Sequence, residues 1–123
     1  MALTTGIIAN TGPNPARFIL MNIDNDNLSF SSNVLYHIYV WNSLVSKSLI
    51  YANSVNINAN TSQILNFSIT GNTSYEVQFQ ITGQGQVTPD TVITVFGTDS
   101  SGNVIHHQKV LYPELTQISQ INP

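Results

Sequence analysis

The sequence of 123 residues contains no cysteine. Disulfide bonds, thiolate catalysis and zinc sites built from thiolates are therefore excluded. No apolar run approaches the roughly 18 residues that a membrane-spanning helix needs, so we expect no membrane insertion. The length is that of one domain, large enough to form a single hydrophobic core.

Charged residues are scarce, at 7% of the chain, whereas ordinary soluble domains carry about 25%. Three Lys/Arg and six Asp/Glu give a net charge of −3, and the basic residues Arg17, Lys47 and Lys109 lie far apart in sequence. Because no basic patch is present to neutralise phosphates, we expect no nucleic-acid binding. Like-charge repulsion normally keeps soluble proteins apart, so a chain with so little charge is suited to association with copies of itself.

Uncharged polar residues take the place of charge: Asn, Gln, Ser and Thr make up 48 of the 123 residues. Apolar residues alternate with them, most clearly over residues 74–81, where Tyr75, Val77, Phe79 and Ile81 fall on one face. This period of two predicts half-buried strands. Further strands are predicted near residues 18–21, 34–41, 49–57, 65–69, 91–96 and 103–111, with turn clusters rich in Asn, Asp, Ser and Gly between them. Seven strands without a helical segment predict an all-β fold, a single antiparallel β-sandwich of jelly-roll or immunoglobulin-like topology.

Candidate metal and catalytic sites are weak in this sequence. Residues 24–27 (Asp-Asn-Asp-Asn) do not begin an EF-hand loop, because Leu28, Ser29 and Leu35 stand where an oxygen ligand, glycine and glutamate are required. His106 and His107 are adjacent on a predicted strand, so their side chains point to opposite faces. No nucleophile elbow surrounds any serine. We therefore expect no metal, no cofactor and no enzymatic activity.

Aromatic residues offer an alternative function. A sandwich face that carries exposed rings binds sugars by stacking, and Tyr36, Tyr39, Trp41, Tyr51 and Tyr75 are candidates for such a face. The simpler interpretation puts Tyr75 and Trp41 in the core. His37, in the same apolar strand as Tyr36 and Tyr39, is expected to be a buried, hydrogen-bonded group.

The N-terminal segment is the most distinctive candidate site. Residues 2–9 have the pattern of a short strand, with Leu3, Thr5, Ile7 and Ala9 on one side and Ile8 on the other. The following residues 11–15 contain Gly12, Pro13 and Pro15, which predict an extended linker instead of a hairpin turn. The strand has three possible fates: it frays, it folds back onto its own sandwich, or it adds to the sheet edge of another copy.

We favour the third fate, which divides the chain into a connector and linker (residues 1–15), a β-sandwich (residues 16–118) and a C-terminal tail (residues 119–123). On this interpretation, a protein without residues 1–14 is expected to remain a folded monomer. The first residues lack Lys and Arg, and Thr4, Thr5 and Gly6 interrupt the apolar stretch, so no cleavable signal peptide is expected.

Residues 95–104 (VFGTDSSGNV) and 110–115 (VLYPEL) resemble the C-terminal half of small β-rich proteins of spore-forming Bacillus-type bacteria. Residues 39–42 (YVWN) and 75–77 (YEV) resemble the same family, whose members form endospore appendages and exosporium fibres. The resemblance extends over about residues 17–118. It implies a jelly-roll subunit that polymerises when its N-terminal extension docks into a neighbouring subunit. Unlike the best-known appendage subunits, this chain has no cysteine for disulfide cross-links.

Together, these observations predict a structural subunit that assembles with its own copies into a fibre on the spore surface, with a spore-surface anchor protein as a possible further partner. The alternatives are a carbohydrate-binding module and a virion tail or decoration protein.

Overall fold

The computed structural model describes residues 2–41, 45–69, 73–83 and 90–121 of the chain. These residues form an all-β sandwich of two antiparallel sheets, as the alternating pattern predicts. Each of the seven strands predicted for the sandwich has a counterpart, the predicted N-terminal strand is present in a shorter form, and one further short strand lies near the C-terminus. The strands are β1 (Ala2–Thr4), β2 (Phe18–Asn25), β3 (Ser32–Trp41), β4 (Lys47–Ile57), β5 (Thr61–Ser68), β6 (Tyr75–Thr82), β7 (Thr91–Thr98), β8 (Val104–Val110) and β9 (Thr116–Ile118).

The two sheets have the strand orders β4-β3-β6-β1-β9 and β5-β2-β7-β8. Strands β2 to β6 follow the immunoglobulin arrangement of strands B, C, C′, E and F, because β3 pairs with both β4 and β6 while β2 pairs with β5. In that arrangement the last strand, G, lies beside F. Here the first strand of the chain, β1, occupies the place of G, and β7 occupies the place of A beside β2.

The core lies between the two sheets and is built from alternate residues of each central strand. Ile19, Met21 and Ile23 of β2 face residues such as Val77 and Phe79 of β6, and all of these are fully buried. Strand β3 is covered on both faces, which explains its nearly continuous apolar sequence. Within the described ranges, no helix is long and apolar enough to cross a membrane.

Asparagine and proline residues shape the turns between several strands. The buried Nδ2 of Asn25 donates hydrogen bonds to the carbonyls of Phe30 and Ile57 and so ties together the loops that follow β2 and β4. Asn60 takes a positive φ of 56° in the turn before β5, a conformation that asparagine tolerates. After Val110, Pro113 lies in a 3-10 turn (Tyr112–Glu114), as expected for a residue that cannot donate to a ladder.

Candidate functional site

Strand β1 lies inside the first sheet of its own chain, between β6 and β9. Leu3 pairs with Phe79 on one side and with Gln117 on the other, and its side chain is 6% exposed in the core. Strand β9 pairs with β1 alone among the described residues. The two ends of the chain therefore complete one edge of the sandwich together.

Residues 5–8 continue along β6 after β1 ends. The N–H of Thr5 donates to the carbonyl of Val77 at 3.0 Å, and Ile8 and Tyr75 exchange two backbone hydrogen bonds of 2.7 and 3.1 Å. The alternation expected over residues 2–9 is wrong beyond Thr5, because Gly6 has a φ of 69° and reverses the side on which later residues lie. As a result, Ile8 is buried, whereas Ile7 is 62% exposed and Ala9 is also exposed.

The predicted linker forms an exposed loop whose two ends are joined. Asn10 is fully buried; its Nδ2 donates to the carbonyl of Ala16 at 3.1 Å, and its Oδ1 accepts the N–H of Ala16 at 2.7 Å. Gly12 and Pro13 are exposed and Pro15 is half-buried. This pair of hydrogen bonds, called here the Asn10–Ala16 clasp, holds residues 11–15 outside the sandwich.

A buried polar cluster connects the clasp to the body of the sandwich. Gln108 of β8 donates to Asn10 Oδ1 at 3.0 Å and accepts a hydrogen bond of 2.7 Å from the Tyr75 hydroxyl. Burial raises the pKa of the Tyr75 phenol, which therefore stays a neutral donor. Gly97 is required beside this cluster, because a Cβ at that position would lie 2.9 Å from both the Tyr75 hydroxyl and the Ala16 Cβ.

A second polar cluster holds β1 on the opposite, outward face of the sheet. The Thr4 hydroxyl and the Gln78 amide both donate to Glu76 Oε2, and Lys47 lies 3.3 Å from Glu76 Oε1. Burial disfavours the Glu76 carboxylate, but these two hydrogen bonds and the charge of Lys47 outweigh burial and hold the pKa of Glu76 below its usual value. Lys47 also lies over the rings of Tyr39 and Trp41, at 4.4 and 5.5 Å from their centroids.

The five aromatic residues considered for sugar stacking lie in different places. Tyr75 is fully buried in the core, as the simpler interpretation predicts, and Tyr36 also faces the core. Tyr51 lies at the edge of the sandwich with its ring 4.9 Å from Phe67. Tyr39 and Trp41 share the outward face, where Trp41 is half-buried, so the prediction of a core Trp41 is wrong.

The remaining polar candidates do not come together in one site. His37 is buried and hydrogen-bonded to the Tyr39 hydroxyl, as expected. His106 and His107 are both exposed on β8. Burial, together with the hydrogen bond and charge of Asp26, raises the pKa of Asp24. Among the described residues, no three His, Cys, Asp or Glu side chains are arranged to hold a metal ion.

Sequence reasoning missed the polar residues that fasten the N-terminal segment. Asn10, Gln108, Thr4 and Glu76 each look ordinary in sequence, and their partners lie up to 99 residues away. The only local signal is the position of Asn10 at the end of the predicted strand, immediately before the predicted linker.

The candidate site is thus a groove along β6, bordered by β9 beside residues 2–4 and by Gln108 of β8 beside residues 9–10, filled by residues 2–10 and closed at the clasp. No family model, curated protein or solved structure matches the chain.

Proposed function

We propose that this protein is a structural subunit that assembles into a fibre by exchanging its N-terminal strand with the next copy. In the assembled form, residues 2–10 of one subunit lie in the groove of its neighbour. The resemblance to endospore appendage subunits makes a spore surface the expected location of the fibre. The protein has no substrate and no cofactor in this role.

One observation carries the proposal: the strand that completes the first sheet comes from the far end of the sequence. Thr4 lies 72 residues from Glu76, and strand β1 takes the place that the last strand holds in an immunoglobulin sandwich. Every contact that residues 2–10 make with β6, β8 and β9 is equally available to the same segment of a second chain. Strand addition of this kind draws affinity from the backbone ladder and register from alternate side chains.

The loop of residues 11–15 supplies the hinge. Residues 11–14 are exposed, and Pro13 and Pro15 have no N–H with which to pair in a sheet, so the loop is suited to link two subunits. When the clasp opens, the loop straightens and carries residues 2–10 away from their own sandwich. The clasp is made again in the neighbour, so exchange leaves no buried polar group without a partner.

In the proposed fibre each subunit donates to one neighbour and accepts from another, so that exchange runs head to tail instead of closing into a reciprocal pair. The donated segment and the groove are different surfaces, so each subunit has one of each to offer in a head-to-tail contact. The low charge of the protein, −3 over 123 residues, adds little repulsion between neighbours in such a chain.

A disulfide that ties β1 to its own sheet tests the proposal. Ala2 and Gln80 are directly paired, and the hydrogen bond from Thr5 to Val77 implies that positions 2 and 80 form a non-hydrogen-bonded pair, the closer kind. The variant Ala2→Cys/Gln80→Cys contains the only two thiols in the chain. We expect it to form fibres in negative-stain electron microscopy when it folds under reducing conditions, and discrete particles when it is oxidised before assembly.

The matched control is Ala2→Ser/Gln80→Ser, which should form fibres under both conditions. Fibres from the oxidised, fully cross-linked protein would overturn the proposal, because its first strand cannot leave. Discrete particles from the unmodified protein at all concentrations would also overturn it.

A further inference from the structure

One side of the sandwich is formed by two strands that carry a single charged residue, Lys47, at the start of β4. Strands β4 and β5 follow each other in sequence, lie at the edges of the two different sheets, and are joined by the turn of residues 58–60. Between Lys47 and Glu76 the sequence contains no charged residue and no histidine. Natural edge strands are usually protected by charge, which discourages pairing with other chains. Beyond Lys47, β4 and β5 have no such protection.

The same side is incompletely closed. Tyr51 and Val55 of β4 and Leu65 and Phe67 of β5 point between the sheets, yet all four are only half-buried. Ile64 is 62% exposed on the outer surface of β5, and Leu49 of β4 is exposed as well. A second copy placed against this side would therefore bury these apolar side chains, in addition to pairing with the backbone of β4.

The hydrogen bonding of Ser54 indicates which backbone groups of β4 face outward. Its N–H donates to the side-chain Oδ1 of Asn53 at 2.8 Å and so is directed away from β3. Since outward and inward groups alternate along a strand, the N–H groups of Ala52 and Asn56 face outward as well. A bulge at Ile50, where the register with β3 shifts, ends this regular stretch at its N-terminal side.

We propose that two copies of this chain pair through their β4 edges, antiparallel and about a two-fold axis at Ser54. Ser54 of each copy then faces Ser54 of the other, and the two residues exchange N–H···O=C bonds. Ala52 meets Asn56 on either side of the axis, so all outward groups of residues 52–56 are satisfied. The Asn53 side chain, which covers the Ser54 N–H in the single chain, turns aside.

Charge favours a second copy as the occupant of this edge. Each copy carries a net charge of −3, and the β4–β5 side is where two copies meet with the least repulsion. The opposite side is less suitable, because β9 has three residues and β8 carries Lys109 and two histidines. A two-fold contact uses the same patch on both copies and therefore closes after two.

This pairing is independent of strand exchange. If both contacts operate, exchange extends a fibre along its axis and the β4 edges join two such fibres side by side. Tests of the β4 edge are made on the oxidised Ala2→Cys/Gln80→Cys protein, in which exchange is blocked, so that failure of one proposal leaves the other standing.

The first test replaces the outward-facing amide. Ser54→Pro removes an N–H that is not used by β3, which an edge strand tolerates, whereas Ser54→Ala retains it. In sedimentation velocity over a concentration series, we expect dimers for the parent protein and for Ser54→Ala. For Ser54→Pro we expect a dissociation constant raised about tenfold or more, with the same thermal unfolding midpoint as the parent when both are measured at a concentration too low for dimers.

The second test uses charge at the axis and does not depend on proline being accommodated. Ser54→Lys and Ser54→Asp each place two like charges opposite one another and should be monomeric, whereas their equimolar mixture should form dimers. Ser101→Lys, in the exposed turn before β8, is the control for net charge and should dimerise like the parent. A monomeric parent protein, or like-charged variants that dimerise as well as their mixture does, would refute the pairing.

Discussion

At the scale of single residues, two buried amides matter most. Asn10 and Gln108 are almost entirely shielded from water, and each forms hydrogen bonds to more than one partner. A buried amide of this kind stabilises the fold only while all its partners are present, because a partner left without a hydrogen bond incurs a desolvation cost.

Gln108→Leu tests this cluster at nearly constant volume. The substitution leaves the Tyr75 hydroxyl without an acceptor and removes one donor from Asn10, so we expect the free energy of unfolding to fall by on the order of 3 kcal/mol. Chemical denaturation measures the change. Gln63→Leu, at an exposed position of β5, is the control and should alter stability by less than about 0.5 kcal/mol. Equal effects of the two substitutions would contradict the role assigned to Gln108.

Residue-scale prediction from sequence succeeded where periodicity applied. The alternation of Tyr75, Val77, Phe79 and Ile81 predicted four core residues, and all four are buried. It did not succeed for the Asn10–Gln108 contact, because, apart from the position of Asn10 before the predicted linker, nothing local distinguishes these two amides from the other 21 Asn and Gln residues of the chain. A partner almost a hundred residues away becomes visible only when the strands are arranged in space.

At the scale of elements, the outward face of the first sheet links β1 to β4 and β6. Thr4, Glu76 and Lys47 lie on these three strands, so the Glu76 carboxylate is a single acceptor that holds the N-terminal strand and the edge strand together. Its net stabilisation depends on the carboxylate being ionised.

The pH dependence of stability follows from the lowered pKa of Glu76. Because the folded pKa lies below the ordinary value of 4.5, the stabilisation is fully present above pH 4.5 and is lost as the pH falls through the folded pKa. We expect the unfolding midpoint of the natural protein to fall in this acidic range more steeply than that of Glu76→Gln. Thermal unfolding followed by circular dichroism at a series of pH values measures the difference. Parallel curves for the two proteins would show that Glu76 does not contribute in this way.

Strand positions were predictable from sequence, whereas strand order was not. Alternation marks a strand wherever one face is buried, which is why eight of the nine strands, including the N-terminal one, were expected. Strand β9 has three residues and pairs only with β1 among the described residues. It is too short to show an alternation of apolar and polar residues that would predict it. The place of β1 likewise depends on a register with β6, which is decided by tertiary contacts and not by local preference.

At the scale of the whole molecule, the N-terminal segment contributes too much to be dispensable. Residues 2–10 bury Leu3 and Ile8, supply Asn10 to the polar cluster and provide the partner of β9. Burial of two such aliphatic side chains contributes roughly 3–6 kcal/mol on its own. The structure therefore changes the expected result of deleting residues 1–14, because the remaining protein has an open groove and an unpaired C-terminal strand.

We predict that a protein lacking residues 1–10 is strongly destabilised and that a peptide of residues 1–10 restores it. Added in excess, the peptide should raise the thermal unfolding midpoint of the truncated protein in proportion to the logarithm of its concentration. A peptide with Leu3→Asp and Ile8→Asp should have no effect, because it cannot bury these two positions. A truncated protein as stable as the complete chain would show that the groove needs no occupant.

The position of β1 also governs the time course of folding. Of the nine strands this one is synthesised first, whereas its neighbours are the sixth strand, β6, and the last, β9, so the first sheet stays incomplete until β9 has been made. Contacts between such distant segments form slowly, since a long loop must close before they form. During that interval the open groove is available to any segment of the right sequence. Insertion of β1 into the groove of its own chain therefore competes with insertion of β1 from another chain. The local concentration of newly made protein decides which of the two prevails.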